Sequence, residues 1–314
     1  MRCLIVGGCT GGAVAPARRL KLGVSRSDTP PQIWMQRDLD RGEFGQLTTS
    51  FAIIDEDVAF LIDNGLGVQI TGDAIQQAEP KQVAMFQSHY HYDHIEGMHL
   101  NPLLYRPDSP LTQFFCPKVG GVVPNQLWNE RLLNTSHWPI APKCQTSIYD
   151  FKPGASLVVF DRDILTSLQN HPGESCGYRI QLSDKKSIVI ATDVELSSAY
   201  HQKNFARFVD GADFLVVECQ LREGEYLGKV GVMDSPATPM IGWGHSTPEM
   251  ILASLERCSE VPKSVFVTHH DSRRDQTDLR NFEGEFRSAL LPLGIDCSFL
   301  YEAQDVDLDE LESM

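Results

Sequence analysis

Residues 88–94 form the most distinctive pattern in the chain, Ser88-His89-Tyr90-His91-Tyr92-Asp93-His94. They follow the apolar run Val83–Phe86, which predicts a buried strand. Side chains two residues apart in extended backbone point the same way, so His89 and His91 can bind one ion together. If the chain then bends into a helix, Asp93 and His94 face a second point nearby. The spacing predicts a two-metal site at a strand end; a solvated polar loop is the alternative, but it gives no reason for the spacing.

Length and composition predict one soluble globular domain. The chain has 314 residues, of which 42% are hydrophobic and 22% charged, and no linker rich in Gly, Ser or Pro divides it. We therefore predict a single domain over residues 1–300. Residues 102–143 contain several prolines and little regular pattern outside one helix, which is typical of an inserted binding loop or lid. The acidic residues 301–314 predict a frayed C-terminal tail.

Charge and cysteine usage restrict the class and the compartment. The net charge is −15, whereas a general nucleic-acid binder usually carries a basic stripe. The eight cysteines show no CxxC pair and fit a reducing cytoplasm better than a disulfide framework. No apolar run reaches the length of a membrane span, and the N-terminal residues predict a first strand and not a signal peptide. We expect a cytoplasmic protein that does not bind membranes.

Further metal ligands are expected at other strand ends. His171 and Asp193 each follow an apolar strand pattern, and His269 and His270 end the run Val265–Thr268. Taken singly, Asp193 can be a helix cap and a lone histidine is more often a packed residue than a ligand. The repeated context favours a shared site. Imidazole and carboxylate donors together favour Zn, Mn or Fe over Mg or Ca.

This set of residues resembles the metallo-β-lactamase superfamily over most of the chain, from Leu4 to Asp271. Three segments, 170–179, 191–195 and 242–247, resemble the ribonuclease Z-like and cyclic-nucleotide phosphodiesterase-like branch, the last through its His-Ser-Thr box. The resemblance implies an α/β fold, the αββα sandwich of two mixed β-sheets flanked by helices. It also implies a homodimer. The long basic arm that ribonuclease Z uses for tRNA is not visible in this sequence.

The resemblance also implies a role for each site residue. The first of two divalent ions, with Zn favoured over Mn or Fe, would be bound by His89, His91 and His171. The second would be bound by Asp93, His94 and His269, with His270 as a less favoured alternative to His269, and Asp193 would bridge the ions. His245 would protonate the leaving group, oriented by Glu249 one helical turn on, so that the catalytic residues are Asp93, His245 and Glu249. The alternative for His245 is a residue at a helix N-cap.

These residues predict a metal-dependent hydrolase. A hydroxide shared by two ions can attack phosphorus, and a protonated imidazole removes the difficulty of alkoxide departure. We expect a phosphodiesterase acting on a small nucleotide-like substrate such as a cyclic nucleotide. The alternatives are tRNA 3′ processing, hydrolysis of a lactone or thioester, and a metal-bound scaffold without turnover. Four aromatic residues of the 102–143 insert are expected either to stack on the substrate or to pack in the core: Phe114, Phe115, Trp128 and Trp138.

Overall fold

The computed structural model describes residues 2–12, 41–133 and 138–312. Within these ranges the chain forms short and medium strands joined by helices and tight turns. The strands are β1 Arg2–Gly8, β2 Thr10–Gly11, β3 Ser50–Asp55, β4 Val58–Ile62, β5 Gln82–Phe86, β6 Leu111–Pro117, β7 Ser147–Phe151, β8 Ser156–Val159, β9 Arg162–Gln169, β10 Ser175–Gln181, β11 Ser187–Ala191, β12 Phe214–Glu218, β13 Ser264–Thr268, β14 His270–Asp271, β15 Asp296–Phe299 and β16 Gln304–Asp307.

The α-helices lie mainly between strands of the second half of the chain. They are α1 Val68–Ala78, α2 Tyr92–Ile95, α3 Ala199–Val209, α4 Glu223–Tyr226, α5 Pro248–Leu255 and α6 Gln276–Leu290. A π-helix spans Gln126–Leu132, where sequence periodicity predicts an ordinary helix. Among the described residues, no helix has both the length and the apolar character needed to cross a bilayer.

Two seven-stranded mixed sheets form the body of the described structure. The first has the order β16-β1-β3-β4-β5-β6-β7, with β4 to β7 parallel. The second has the order β15-β13-β12-β11-β10-β9-β8, with β11, β12, β13 and β15 parallel. The central strands β11 to β13 are buried on both faces, which explains why each is a continuous run of apolar residues.

Three apolar layers show how the sheets and helices stack. One cluster lies between the two sheets and joins residues such as Phe60 and Phe86 of the first to Tyr178 and Ile190 of the second. A second cluster packs α3, α5 and α6 on the outer face of the second sheet, and a third packs α1 on the outer face of the first. The order helix, sheet, sheet, helix confirms the predicted αββα sandwich.

The described part of the 102–143 segment contains regular structure on both sides of its turns. Its residues include strand β6 in the interior of the first sheet and the π-helix. Phe114, Phe115 and Trp128 are buried in the core, so of the two alternatives left open for these rings the packing role is correct. Trp138 stacks on His99 with ring centroids 5.2 Å apart. The predicted aromatic surface for a substrate is therefore not provided by these residues.

The acidic C-terminus is a strand and not a frayed tail. Strand β16 pairs antiparallel with β1 over Gln304–Asp307, and the side chains of Val306 and Leu308 are buried between the sheets. Aspartate and apolar residues alternate here, so the carboxylates face outward while the apolar residues complete the core. For the described residues up to 312 the expected fraying is corrected, because this alternation outweighs the acidic composition. Residues 313 and 314 lie outside the described residues.

A substitution at the end of this strand tests its contribution to stability. Leu308→Ala removes a side chain that is 1% exposed, and we expect it to lower the free energy of unfolding by about 2–5 kcal/mol. Urea denaturation of both proteins measures the difference. The matched control is Leu291→Ala, at a leucine that is 71% exposed, where the change should stay within about 0.5 kcal/mol. Equal small effects would mean that the C-terminus contributes nothing to the core.

Candidate metal centre

The seven residues predicted to bind metal all lie just beyond strand ends. His89, His91, Asp93 and His94 follow β5, and the last two belong to the short helix α2. His171, Asp193 and His269 follow β9, β11 and β13. Because β11 and β13 are parallel to their common neighbour β12, their carboxyl ends meet at one edge of the second sheet, where the 88–94 segment joins them. The structure therefore brings all seven side chains together.

Three imidazoles form the first group. Nitrogen atoms of His89, His91 and His171 lie within 4.8 Å of one another, and His171 Nε2 is 3.0 Å from His91 Nδ1. His171 Nδ1 donates to the carbonyl oxygen of Gly244 at 3.0 Å, which leaves the lone pair of Nε2 facing the group. Nitrogen ligands lie about 2.0–2.1 Å from zinc, so two of them on one ion are separated by roughly 3 Å. This geometry fits a three-histidine metal site.

The second group contains Asp93, His94 and His269. His269 Nε2 lies 3.2 Å from Asp93 Oδ2 and 3.3 Å from His94 Nε2. The backbone N–H of Gly12 donates to Asp93 Oδ2 at 2.8 Å, so the N-terminal glycine turn also supports this group. A Cβ atom at Gly11 would collide with the ring of His269, which explains the glycine there.

Asp193 lies between the two groups. Its Oδ2 is 3.1 Å from His94 Nε2, while its Oδ1 is 3.4 Å from His269 Nε2. The same Oδ1 lies 3.9 Å from His89 Nε2 and 3.8 Å from His171 Nε2. Burial raises the pKa of this carboxyl, but the neighbouring imidazoles, His269 first, hold it well below its usual range. An ionised carboxylate in this position can bridge two ions.

The structure distinguishes the two adjacent histidines at the end of β13. His269 lies in the second group, whereas His270 Nε2 donates to the carbonyl oxygen of Leu300 at 2.8 Å. The ring of His270 packs between Phe44 and Phe299. Burial lowers the pKa of His270 to about 3, so its ring is a neutral part of the core.

Asp63, at the end of β4, holds the 88–94 segment in place. Its Oδ2 accepts from Ser88 Oγ and from His94 Nδ1, both at 2.7 Å, and its Oδ1 accepts from the Ser88 N–H at 2.7 Å. Ser88 Oγ also contacts His89 Nδ1 at 3.0 Å. One carboxylate thereby orients an imidazole in each group with its Nε2 atom toward the centre, as outer partners of metal ligands commonly do.

Three residues of the site have strained backbone conformations. Asp63, Asp193 and His269 have positive φ angles of 62°, 54° and 57°. Non-glycine residues seldom adopt this conformation, and it persists only where surrounding contacts impose it. Each of the three lies just after a strand; the side chains of Asp193 and His269 belong to the ligand groups, and that of Asp63 supports the 88–94 segment.

The protonation and hydrogen bonding of the histidines fit a site for divalent cations. His89 Nε2 is buried and has no hydrogen-bond partner among the described residues. Burial lowers the pKa of His89 well below its ordinary value and that of His171 to about 4, so both rings are neutral and have lone pairs to offer. His94 differs, because burial is outweighed by the neighbouring carboxylates, Asp193 first, which raise its pKa well above the ordinary value. Imidazole and carboxylate donors gathered in this way are suited to Zn or a similar ion.

His245 lies beside the centre and is paired with Glu218, a residue that sequence reasoning missed. Its ring centroid is 5.5 Å from that of His171, and its Nδ1 is 3.7 Å from Glu218 Oε2. Glu218 is buried at the end of β12, and its Oε1 accepts from the Ser246 N–H at 2.8 Å. Burial lowers the pKa of His245, but the charge of Glu218 outweighs it and raises that pKa to about 9.

The sequence predicts that Glu249 orients His245, but the structure places Glu218 beside this imidazole. Glu249 is exposed on α5 and lines a separate surface depression with Arg222 and Glu285. His245 lies before α5 and faces Glu218, whereas Glu249 lies in the first turn of α5 and faces the separate depression. Glu218, and not Glu249, is therefore the carboxylate beside the imidazole. Glu218 stands at the end of a strongly apolar strand, as Asp193 nearly does. This shared position is the sequence feature by which Glu218 could have been found.

The centre opens into a cavity of about 580 Å³, within the range of small-molecule sites. Its floor contains His91, Asp93, His171, Asp193, His245 and His269. Its rim adds residues that the sequence analysis did not single out: Gln220, Trp243, Ser272 and Arg273.

Comparisons with known proteins agree with this architecture. A family model described as "Beta-lactamase superfamily domain" matches residues 59–270. No curated protein sequence matches the chain. Among solved structures, the metallo-beta-lactamase fold protein YhfI from Bacillus subtilis is 16% identical with a TM-score of 0.64, covering 97% of this chain and 98% of its own.

Two further solved structures share the fold over nearly the whole chain. Unliganded yeast PDE1 is 14% identical with a TM-score of 0.62, covering 98% of this chain and 100% of its own. The short form of human tRNase Z is 15% identical with a TM-score of 0.59, covering 98% of this chain and 99% of its own. Identities this low establish a common fold and leave the chemistry to be argued from the residues.

The hydrogen bonds of Asp63 generate a prediction about metal affinity. Asp63→Asn keeps the side-chain volume but loses an acceptor oxygen, so the rings of His89 and His94 are no longer both oriented. We expect zinc affinity to fall about tenfold to a hundredfold. Competition with a chromophoric chelator measures it.

Asp55 provides the matched control. It is also a buried aspartate at a strand end, but it accepts from Arg162 and Ser183, outside the metal centre. Asp55→Asn should lower stability and leave zinc affinity unchanged. A similar loss of affinity in both variants would show that Asp63 acts only through general stability.

Proposed function

The chain belongs to the beta-lactamase superfamily, and from this we propose that it is a phosphodiesterase that requires two divalent metal ions. The observation that carries the proposal is His245, paired with buried Glu218 and placed beside seven clustered metal-binding side chains. A hydrolase that cleaves good leaving groups does not need such an acid, whereas one that expels an alkoxide does.

The ligand sets follow from the two groups of side chains. His89, His91 and His171 would bind the first ion, Asp93, His94 and His269 the second, and Asp193 would contact both. Ions held by these residues would lower the pKa of a bound water and would neutralise charge on the oxygens of a phosphoryl group. We favour Zn, with Mn or Fe as alternatives, because the donors are imidazole and carboxylate.

His245 acts as the general acid in this proposal. Its Nδ1 faces Glu218, so Nε2 is the atom that can deliver a proton to the leaving oxygen. The negative charge of Glu218 keeps the imidazole protonated at neutral pH, since it raises the pKa of His245 to about 9. His245 lies two residues before Thr247, the N-cap residue of α5, and its pairing with Glu218 favours the acid role over a purely structural one.

The substrate we propose is a small nucleotide-like phosphodiester, for example a cyclic nucleotide. The cavity volume suits a mononucleotide, and a net charge of −15 opposes binding of a long polyanion. Proteins of this fold include yeast PDE1 and a human tRNase Z, so tRNA remains the polyanionic alternative to test. We further propose that the protein is cytoplasmic, in keeping with its eight unpaired cysteines. A homodimer is proposed from the family resemblance.

Metal dependence gives the first test of this function. Protein treated with a chelator should lose activity on bis(p-nitrophenyl) phosphate and recover it with Zn or Mn. Asp193→Ala should abolish nearly all turnover, because that carboxylate contacts both ligand groups. Full activity in a sample shown by elemental analysis to be metal-free would contradict the proposal.

A substrate panel accompanies that measurement. It contains cyclic nucleotides, precursor tRNA, a lactone and a thioester, assayed at low and moderate salt. Trimming of precursor tRNA without action on cyclic nucleotides would overturn the substrate but not the metal-dependent reaction. If only the lactone or the thioester is hydrolysed, the proposed activity is acyl hydrolysis and not phosphodiester hydrolysis.

Leaving-group dependence tests the acid. His245→Ala should retain both metals and lose about a hundredfold or more in kcat on a diester with an alkoxide leaving group. The loss should stay below about tenfold with p-nitrophenolate, which departs without a proton. Glu218→Gln should show the same selectivity in weaker form, while Glu249→Gln serves as the control and should change neither rate. Equal losses on both substrates would show that His245 is not the general acid.

A further inference from the structure

Trp243 stands on the wall of the cavity that contains the metal centre. Its side chain is 54% exposed, although an indole ring is a large apolar group. Among the described residues, it is the one aromatic ring other than histidine that lines this cavity. The aromatic residues of the 102–143 insert do not compete for this position, because Phe114, Phe115 and Trp128 are buried in the core.

The loop that carries Trp243 is held rigidly by a buried carboxylate. Glu195 accepts from the N–H groups of Gly242 and Gly244, each at 2.9 Å, and from the hydroxyl of Tyr226. The two glycines flank Trp243 and have φ angles of 80° and 93°, which only glycine adopts without strain. The exposed ring therefore sits on a backbone fixed on both sides.

The same loop is attached directly to the metal centre. The carbonyl oxygen of Gly244 accepts from His171 Nδ1 at 3.0 Å, and a Cβ atom at Gly244 would collide with the ring of His171. His245 follows immediately, with its ring 5.5 Å from that of His171. The position of Trp243 relative to the ligands and the acid is thus fixed by covalent and hydrogen-bonded contacts.

We propose that Trp243 binds the flat ring of a nucleoside esterified to the scissile phosphate, by stacking on it. This inference rests on the proposed phosphodiesterase function and narrows its substrate class to esters that carry a nucleobase. A rigid, exposed indole loses little conformational entropy on binding, and stacking tolerates any base because every base has a π-face. The residue positions the substrate and takes no part in bond breaking.

Two diesters with one leaving group test the proposal: thymidine 5′-(p-nitrophenyl) phosphate and methyl p-nitrophenyl phosphate, hydrolysed by the zinc-loaded protein. The wild type should prefer the nucleoside ester in kcat/KM. Trp243→Leu should reduce that preference about fivefold to a hundredfold, mainly through KM, with the methyl ester nearly unaffected. Trp243→Phe should retain most of the preference, because a phenyl ring still stacks.

Tyr200→Leu is the matched control, since Tyr200 is an exposed aromatic residue on α3 that lines a neighbouring depression, which shares only His171 with the metal cavity. It should leave the preference unchanged. The proposal is overturned if the wild type shows no preference, or if Trp243→Leu slows both esters equally.

Binding separates failure of this inference from failure of the proposed function. Calorimetry compares thymidine 5′-monophosphate with methyl phosphate on zinc-loaded wild type, Trp243→Phe and Trp243→Leu, with metal content checked in each. Selective loss of nucleotide binding in Trp243→Leu supports the stacking role even if neither diester is hydrolysed, in which case the phosphodiesterase proposal alone fails. Equal binding of the nucleotide by all three proteins refutes the stacking role.

Discussion

The buried carboxylate of Asp63 is the contact on which the metal centre depends. It accepts hydrogen bonds from Ser88 and His94, and Ser88 in turn contacts His89, so one residue of the first sheet orients a ligand in each group. Asp63 follows β4 and the 88–94 segment follows β5, and these two strands are parallel neighbours. The carboxyl ends of the two strands are therefore adjacent. The second sheet adds Asp193 and His269 by the same rule. The sandwich thus brings strand ends of both sheets to one edge. The hydrogen bonds of Asp63 fix the residues contributed by the first sheet.

Electrostatic environment gives neighbouring histidines different properties. His171 and His245 have ring centroids 5.5 Å apart, yet burial lowers the pKa of the first to about 4 while Glu218 raises that of the second to about 9. A neutral imidazole can bind a metal ion and a protonated one can donate a proton. Opposite shifts in adjacent titratable groups are the usual basis for assigning acid and ligand roles. Here buried Glu218 contributes most to the raised pKa of His245, and Asp193 and Asp93 add to it.

The fold and the assignment of the seven ligands were predicted from the resemblance to the metallo-β-lactamase superfamily, whereas local patterns supplied the strands and the candidate residues. Apolar runs located the strands, and polar residues after those runs located the cluster. Glu218 was missed because it was taken as the last residue of its strand, although Asp193 in the same context was recognised. The strand at Gln304–Asp307 was missed because charge composition was given more weight than alternation. The burial of Trp128 and the partner of His245 depend on tertiary packing, which no local pattern encodes.

The segment from Met240 to Thr247 contacts His171, carries His245 and forms part of the cavity wall. Glu195 fixes its backbone at Gly242 and Gly244, the carbonyl of Gly244 orients His171, and the Ser246 N–H binds the carboxylate that charges His245. A displacement of this loop would therefore alter a metal ligand, the acid and the cavity wall together. Two buried glutamates hold it from different strands, Glu195 after β11 and Glu218 at the end of β12. Both carboxylates accept backbone N–H groups of this loop, so two neighbouring positions of the second sheet hold the cavity wall, His245 and the backbone partner of His171 in one fixed arrangement.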